Sequence, residues 1–520
     1  MSAPVPRLYN MTELPNVLLI VIDQLRADAL RCAGHPNALT PNIDRLAARG
    51  VLFRQHYAQG SPCGPSRASM HTGMYLMNHR VITNDTPTAA HLKTMPWYAR
   101  ELGYEPAMVG YTTTVPDPRH TAERDPRFTT NSIASGWNIV RDFEEPREHY
   151  LAWLSGQGYE INGSFESLFR PGPDQHDSRW FPPAPIAAEH TDTAWCAQGA
   201  LDYLRIRTHR PWFMHLGFFR PHPPFMPSAP YDRLVDPTQT TPPVRAANAE
   251  AEAAVHPLTR LILDTMKVKS AMHWMPGLAR DLPLADVARM RAAYFGLIAE
   301  VDHHLGRVMD LLERTGQLER TLIVLTSDHG EQLGDHHLVA KRGYFPQSYH
   351  VPCIVVDPRR EADTTRGTQV QAFTENVDLL PTILDWLGQP RPRPCNGRSL
   401  LPFTHGKHPA DWRREAHWEY DFRDLAGGLA HERLGIARDD CSLAVLRDEE
   451  FAYVHFAALP PLLFDLKTHP HWLHNVADDP SYREPALRMA RRMLDWRLSQ
   501  ADRSLTGYAI SDAGLLRFDA

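Results

Sequence analysis

The segment NVLLIVIDQLRAD is apolar from residue 17 to residue 22 and turns polar at Asp23 and Gln24. A strand that is apolar at every position, rather than at every second one, is covered on both faces. That demands helices on both sides of a sheet, so this run constrains the fold more than any other feature of the chain. Three further segments repeat it: EPAMVGYTTT, RPWFMHLGFFRPH and RTLIVLTSDHGE. The patterning predicts helices between them, notably over residues 191–208 and 284–315. A shorter helix is expected in TPNIDRLAARG, with Thr40 as N-cap, Pro41 at its first position and Gly50 at its end. Alternating strands and helices give the α/β class, with a doubly wound, mainly parallel sheet flanked by helices.

In an open sheet of this kind, ligands bind in the crevice at the carboxyl ends of the strands. Asp23, Tyr111, His222 and Asp328 all fall just past the four apolar segments. Gln24 follows Asp23, and His329 follows Asp328. Oxygen donors with a single imidazole suit Mn, Mg or Ca better than a thiolate-rich zinc site. Either pair alone is a weak signal, since an Asp at a strand end is often only a cap. Two pairs at parallel strand ends reinforce each other.

The loop GSPCGPSRASMHTG, residues 60–73, adds a cysteine to that edge. A lone Cys63 is most simply a small buried hydrophobe. A phosphatase thiolate in a Cys-x5-Arg loop does not fit, because Arg67 comes four residues after Cys63, not six. A third reading fits completely: CGPSR matches Cys-x-Pro-x-Arg, the sequence at which cysteine is oxidised to formylglycine.

Composition narrows the partners. A net charge of −6 over 520 residues argues against nucleic acid and against a membrane surface. An anionic ligand must be drawn in by local positive charge. No basic-then-apolar leader opens the sequence, and the apolar run at 17–22 is too short to span a bilayer. A cytoplasmic location is the expectation. The six cysteines are scattered without CxxC or zinc spacing, so no disulfide framework is expected.

Two units are expected. A catalytic domain covers residues 1–404, and its long Pro- and Gly-rich stretch 118–185 reads as an insertion or lid. Beyond NGRSLLPF the character changes. CSLAVLRDEEFAYVHF and PPLLFDLKTHP read as short strands, antiparallel by the hairpin spacing around residues 448–450, with a helix over 485–499 after them. Residues 405–520 are therefore expected to form a smaller C-terminal α+β unit containing an antiparallel sheet.

With CGPSR in place, the chain resembles the sulfatase branch of the alkaline phosphatase superfamily. It is most similar to bacterial phosphonate monoester hydrolases, which are also phosphodiesterases, and to related arylsulfatases. The resemblance covers nearly the whole chain: NVLLIVIDQLRAD, TPNIDRLAARG, CGPSRAS, MNHR, GYTTTVPDPR, RPHPPF, TSDHGEQLGDHH, VDLLPTILDWLG, NGRSLLPF, HFAALPPLLFDL and WRLSQADRSLT. It implies an alkaline-phosphatase-like fold and one divalent metal ion (Mn, Ca or Mg) held by Asp23, Gln24, residue 63, Asp328 and His329. Many sulfatases have Asp-Asp in place of Asp23-Gln24 and Asp-Asn in place of Asp328-His329. Both departures match the phosphonate hydrolases.

The resemblance also implies roles. Formylglycine, made from Cys63 by a formylglycine-generating enzyme, would be hydrated to a diol. One hydroxyl attacks phosphorus or sulfur, and the other expels the acid group as the aldehyde re-forms. A serine has no second hydroxyl for that release. Arg67 orients the modified side chain. Asn84, Tyr111, Thr113, His222 and Lys341 match substrate-pocket residues. Lys341 offsets charge on the ester, and His222 gives a proton to the leaving oxygen. Many sulfatases place Lys-x-His near Tyr111 and Thr113. Its absence here favours monoanionic esters over phosphate monoesters.

The expected activity is metal-dependent hydrolysis of phosphonate monoesters and phosphodiesters, with sulfate ester hydrolysis as a side reaction. Two alternatives stay open: an arylsulfatase, and a non-catalytic anion binder in which Cys63 remains a thiol. His222 is also readable as a turn residue among its prolines, and Tyr111 and Thr113 as a strand end. Glu331, His336 and His337 read as supporting groups. The resemblance further implies a homodimer or homotetramer, with HFAALPPLLFDL and the tail after Trp496 as contacts.

Overall fold

The computed structural model describes residues 14–128, 132–171 and 179–518. Its main sheet contains β1 (Asn16–Ile22), β2 (Val51–Tyr57), β3 (Ala107–Gly110), β4 (Asn138–Asp142), β5 (Phe213–Phe218), β6 (Thr321–Thr326), β7 (Cys353–Val356) and β8 (Thr368–Glu375). Their order is β4-β3-β5-β1-β6-β7-β2-β8. The four apolar segments form its middle, β3-β5-β1-β6. They pair in parallel, with Ile20 opposite both Leu216 and Leu325. Strand β7 alone is reversed, antiparallel to β6 and β2. The sheet is thus mainly parallel, as the unbroken apolar runs require.

Alternate residues of β1 feed two cores. Leu18, Ile20 and Ile22 face the side covered by the helix Leu284–Arg314, and Val17, Leu19 and Val21 the side covered by the helix Leu379–Trp386. The helix Asp192–Arg205 packs against Leu284–Arg314. Helix α1 (Pro41–Arg49) lies between Thr40 and Gly50, with Pro41 in its first turn. Thr40 does not cap it with its side chain. The first amides of α1 are satisfied from outside, where Asn42 and Ile43 donate to Asp302 on the long helix at 3.0 and 2.8 Å.

The stretch 118–185 is more embedded than the expected insertion or lid. Residues Asn138–Asp142 are the edge strand β4, parallel to β3. The helix Glu148–Gly156 follows, and Phe143, Tyr150 and Phe165 meet edge to face, with centroids 5.5 to 6.0 Å apart. These aromatics bury one wall of the fold, which the surrounding Pro and Gly content hid. Residues 129–131 and 172–178 of that stretch lie outside the described residues.

The second sheet has β9 (Ala416–Asp421), β10 (Ser442–Arg447), β11 (Phe451–Phe456) and β12 (Leu462–Asp465), ordered β12-β11-β10-β9 and antiparallel throughout. Asp448 Oδ1 accepts the amides of Glu450 and Phe451 at 2.9 and 2.8 Å, which closes the β10–β11 turn. Met489, Met493 and Trp496 of the helix Arg483–Ser499 pack with Leu446, Tyr453 and Leu463. A last hairpin, β13 (Tyr508–Ser511) with β14 (Gly514–Arg517), leaves Ile510, Leu515 and Phe518 exposed. No helix among the described residues is long and apolar enough to cross a membrane.

Candidate active site

Asp23 directly follows β1, Tyr111 follows β3, His222 lies just beyond β5, and Asp328 and His329 lie just beyond β6. The fifth contributor is helix α2 (Cys63–Thr72), which begins at Cys63. Its N-cap is Pro62, whose side chain cannot accept a hydrogen bond. Asn84 supplies the cap from another segment, its Oδ1 accepting the Gly64 amide at 2.9 Å.

These elements bring one ligand atom each of Asp23, Cys63, Asp328 and His329 within 4.8 Å of one another, all buried. Cys63 Sγ lies 3.1 Å from His329 Nε2 and 3.7 Å from Asp23 Oδ2. Arg67, one turn along α2, is sealed beneath them. Its Nε donates to Asp328 Oδ2 at 2.8 Å, Nη2 to Asp23 Oδ2 at 3.1 Å and Nη1 to the Tyr111 carbonyl at 2.7 Å. The guanidinium lies 4.1 Å above the Tyr111 ring, and the Tyr111 hydroxyl donates to Asp23 Oδ2.

The donor set fits a cation. Asp23 Oδ2 is crowded with donors, yet Asp23 Oδ1 is buried with no hydrogen-bond partner. A carboxylate oxygen left this way is costly unless a cation meets it. His329 Nδ1 lies 3.1 Å from the Gly330 carbonyl. The Nδ1–H that donates there leaves Nε2 as a bare donor atom facing the cluster.

The electrostatics agree. Burial, and then Asp328, push the Asp23 carboxyl up to about 6. Burial would raise Asp328 too, but His329, protonated in the acid range where Asp328 titrates, and Arg67 hold it below the ordinary range. Burial lowers His329 to about 3, so at neutral pH the ring is uncharged and its approaches to Asp23 and Asp328 are not ion pairs. Burial, with Asp23, drives the Cys63 thiol well above its usual value. An inert thiol beside two carboxylates is poor nucleophile chemistry, because the thiolate is the reactive form.

Gln24 turns through a left-handed backbone, with φ 67°. Its amide N–H donates to Asp328 Oδ1 at 3.2 Å, its Nε2 donates to Glu331, and its Oε1 accepts from Lys341 Nζ at 2.6 Å. Thr113 is also left-handed, with φ 53°. The amides of Thr112 and Thr113 both donate to Glu144 Oε2 at 3.0 Å. His222 Nδ1 faces the Pro223 carbonyl at 2.9 Å, and the ring lies 4.4 Å from Phe219. Burial, then Lys341, lower its pKa well below the ordinary value. The residues expected at the site thus gather at one edge of the sheet, although Asn84 acts through Gly64. His336 and His337 turn away toward Glu252.

Two residues with a bearing on the site escaped the sequence reading. Arg220 stands inside RPHPPF, and its Nη1 donates to the His222 and Pro224 carbonyls at 3.1 and 3.0 Å. Glu144 lies in the polar stretch and carries no local signal at all.

A mainly parallel sheet with this acid-rich cluster at its carboxyl edge defines the alkaline-phosphatase-like class. Residues 15–389 match the family described as Sulfatase, and residues 334–499 match N-sulphoglucosamine sulphohydrolase, C-terminal. The chain belongs to the sulfatase family, and it is an enzyme of that family. It is 45% identical to the multifunctional alkaline phosphatase superfamily protein PehA of Trinickia caryophylli, over 96% of this chain and 98% of that one. The crystal structure of the phosphonate monoester hydrolase of Agrobacterium radiobacter superposes with a TM-score of 0.92 at 40% identity, covering 97% of this chain and all of the other. An arylsulfatase of Clostridium perfringens is 27% identical over 90% of this chain and 92% of its own length.

Proposed function

We propose that this enzyme hydrolyses phosphonate monoesters and phosphodiesters, with sulfate esters as a side reaction, at a formylglycine made from Cys63. The observation that carries the reading is the position of Cys63 at the start of α2, against Asp23, Asp328 and His329. The likeness to a phosphonate monoester hydrolase over the full length supports the choice of substrate.

Asp23, Gln24, residue 63, Asp328 and His329 would hold one divalent ion, of Mn, Ca or Mg type. It would supply charge stabilisation and lower the pKa of a hydroxyl at position 63. Arg67 bridges the two carboxylates, offsets their charge and ties the base of α2 to them. Lys341 brings positive charge to the mouth of the site, where the non-bridging oxygens of an ester would lie. His222, with Nδ1–H donated to the Pro223 carbonyl, presents Nε2 as an acceptor. A neutral ring so placed would take the proton given up by the attacking hydroxyl at position 63 and return it to the leaving oxygen. Tyr111, Thr113 and Asn84 bring no charge to the site, consistent with a preference for monoanions, with the Tyr111 hydroxyl given to Asp23 and Asn84 Oδ1 to the Gly64 amide.

The maturation partner would be a formylglycine-generating enzyme, and a cytoplasmic site of action is part of the reading. So is a homodimer or homotetramer. A two-stranded hairpin is marginal alone, and β13–β14 exposes Ile510, Leu515 and Phe518 where a second copy would cover them. The deciding experiment compares kcat/KM for an aryl phosphonate monoester, an aryl phosphodiester and an aryl sulfate on protein whose residue 63 has been identified by mass. Sulfate turnover exceeding the others by orders of magnitude would make the enzyme an arylsulfatase. No turnover of any ester by the matured protein would leave an anion binder.

A further inference from the structure

Gln24, beside the cluster, has a wrong way round. A carboxylate offers an oxygen at either end, but a primary amide offers a cation its oxygen at one end and an NH2 donor at the other. The two ends have nearly the same shape, so neighbours must choose between them. Here both neighbours choose alike. Lys341 Nζ, which can only donate, sits on Oε1 at 2.6 Å, and Glu331 Oε2 accepts from Nε2.

Glu331 is itself fully buried and is fixed before it meets Gln24. Its other oxygen, Oε1, accepts the amides of Leu333 and Ala340 at 3.0 and 2.6 Å. Both residues hold left-handed backbones, with φ 52° and 63°. Conformations of that kind persist only where the surroundings over-determine them. Gln332 N donates to the Ala340 carbonyl at 2.8 Å, so residues 331–340 close into a ring that delivers Lys341 to the site. One carboxylate therefore anchors the loop that carries Lys341 and faces the far end of the amide that Lys341 binds.

We propose that Glu331 is a positioning residue that locks the Gln24 amide with its oxygen toward the cation site. A carboxylate is needed there because it accepts at both oxygens and donates at neither. The inference rests on the reading of Gln24 as a metal ligand.

The test is the isosteric Glu331→Gln. Its oxygen can still serve Leu333 and Ala340, but its NH2 then opposes Gln24 Nε2. The Gln24 amide turns, and an NH2 faces both the cation and Lys341. Metal is first stripped from the protein, and Mn2+ affinity is then measured by competition with a chromophoric chelator. We expect a loss of about 10- to 100-fold, the range for groups that orient ligands. Exchanging the polarity, in Gln24→Glu/Glu331→Gln, returns affinity to within about tenfold of the parent, because the new NH2 donates to the new carboxylate. If Glu331→Gln does not fold, the exchanged pair decides alone: a folded exchange variant that binds Mn2+ much more weakly than that overturns the proposal. So does an affinity unchanged in Glu331→Gln where Gln24→Ala lowers it, an outcome that leaves Gln24 as a ligand. An affinity unchanged in Gln24→Ala removes the ligand reading and this inference with it.

Discussion

Arg67 Nε donates to Asp328 Oδ2 at 2.8 Å, and neither side chain is reached by solvent. A buried pair of this kind is weak evidence of net stabilisation, since desolvation offsets the attraction. Its loss is another matter. Arg67→Ala strands Asp328 and Asp23 without their shared cation, at a cost of about 3–5 kcal/mol. Arg67→Lys keeps the charge but not the fork that spans both carboxylates and the Tyr111 carbonyl, and should fall between. Denaturant midpoints of the metal-free proteins measure this. A midpoint unmoved by Arg67→Ala would show that the guanidinium serves the substrate rather than the fold.

Cys63 has a thiol that burial and Asp23 keep protonated, so the reading requires its conversion. The peptide containing residue 63 should weigh about 18 Da less than the cysteine form, as expected for replacing the thiol by an aldehyde. Cys63→Ala should be inactive. Cys63→Ser should release one equivalent of leaving group and then stall, since it lacks the second hydroxyl. Rapid-quench burst amplitudes separate these cases, and steady turnover by the serine variant would refute the release step.

The central sheet was legible because parallel strands buried on both faces leave continuous apolar runs, as in β1, β3, β5 and β6. The outer strands were not. Strand β2, VLFRQHY, carries half-buried Arg54 and Gln55, and β8, TQVQAFTE, exposes Thr368 and Gln369. Such mixed patterns resemble loops or helix ends. The cluster was legible because Asp23, Asp328 and His329 sit directly at strand ends and Cys63 sits in a fixed motif. Glu144 and Arg220 act through the backbone of the 111–113 and 220–224 segments, and a contact made to a carbonyl or an amide leaves no residue-type signature. Glu331 was visible in its motif, but its partner Gln24 lies 307 positions away, so the role comes only from the fold.

Removal of divalent cations should abolish ester turnover, and Mn2+ should restore it. Because Asp23 Oδ1 has no other partner, the cation should also raise the melting temperature in a concentration-dependent way. Asp328→Asn keeps a hydrogen-bond acceptor but loses a charge, and should weaken metal binding by about tenfold or more. Chelator competition and thermal melts are the checks. Full activity after exhaustive chelation would remove the metal from the reading.

Glu300 contributes a term to stability that falls as pH rises through neutrality. Burial, then nearby Asp192, lift its carboxyl from an ordinary 4.5 to about 7, and its Oε1 accepts the Thr191 hydroxyl. Asp192 in turn accepts from Arg220 Nε at 3.1 Å, which ties this buried acid pair to the loop holding His222. The folded value lies above the unfolded one, so folding favours the protonated acid. Its stabilising contribution is complete below about pH 4.5 and is lost as pH climbs through about 7. A displacement of that size corresponds to on the order of 3 kcal/mol. Glu300→Gln stays neutral at every pH and can still accept from Thr191. Relative to the parent, it should be the more stable protein at pH 8 and lose that advantage at pH 5. Glu144, also lifted to about 7 by burial, titrates in the same window, but it does so in both proteins and cancels in the difference. Urea midpoints at the two pH values give the answer. A difference between parent and variant that does not change with pH would mean that Glu300 folds as a carboxylate, and that Arg220 holds the His222 loop against two negative charges rather than one.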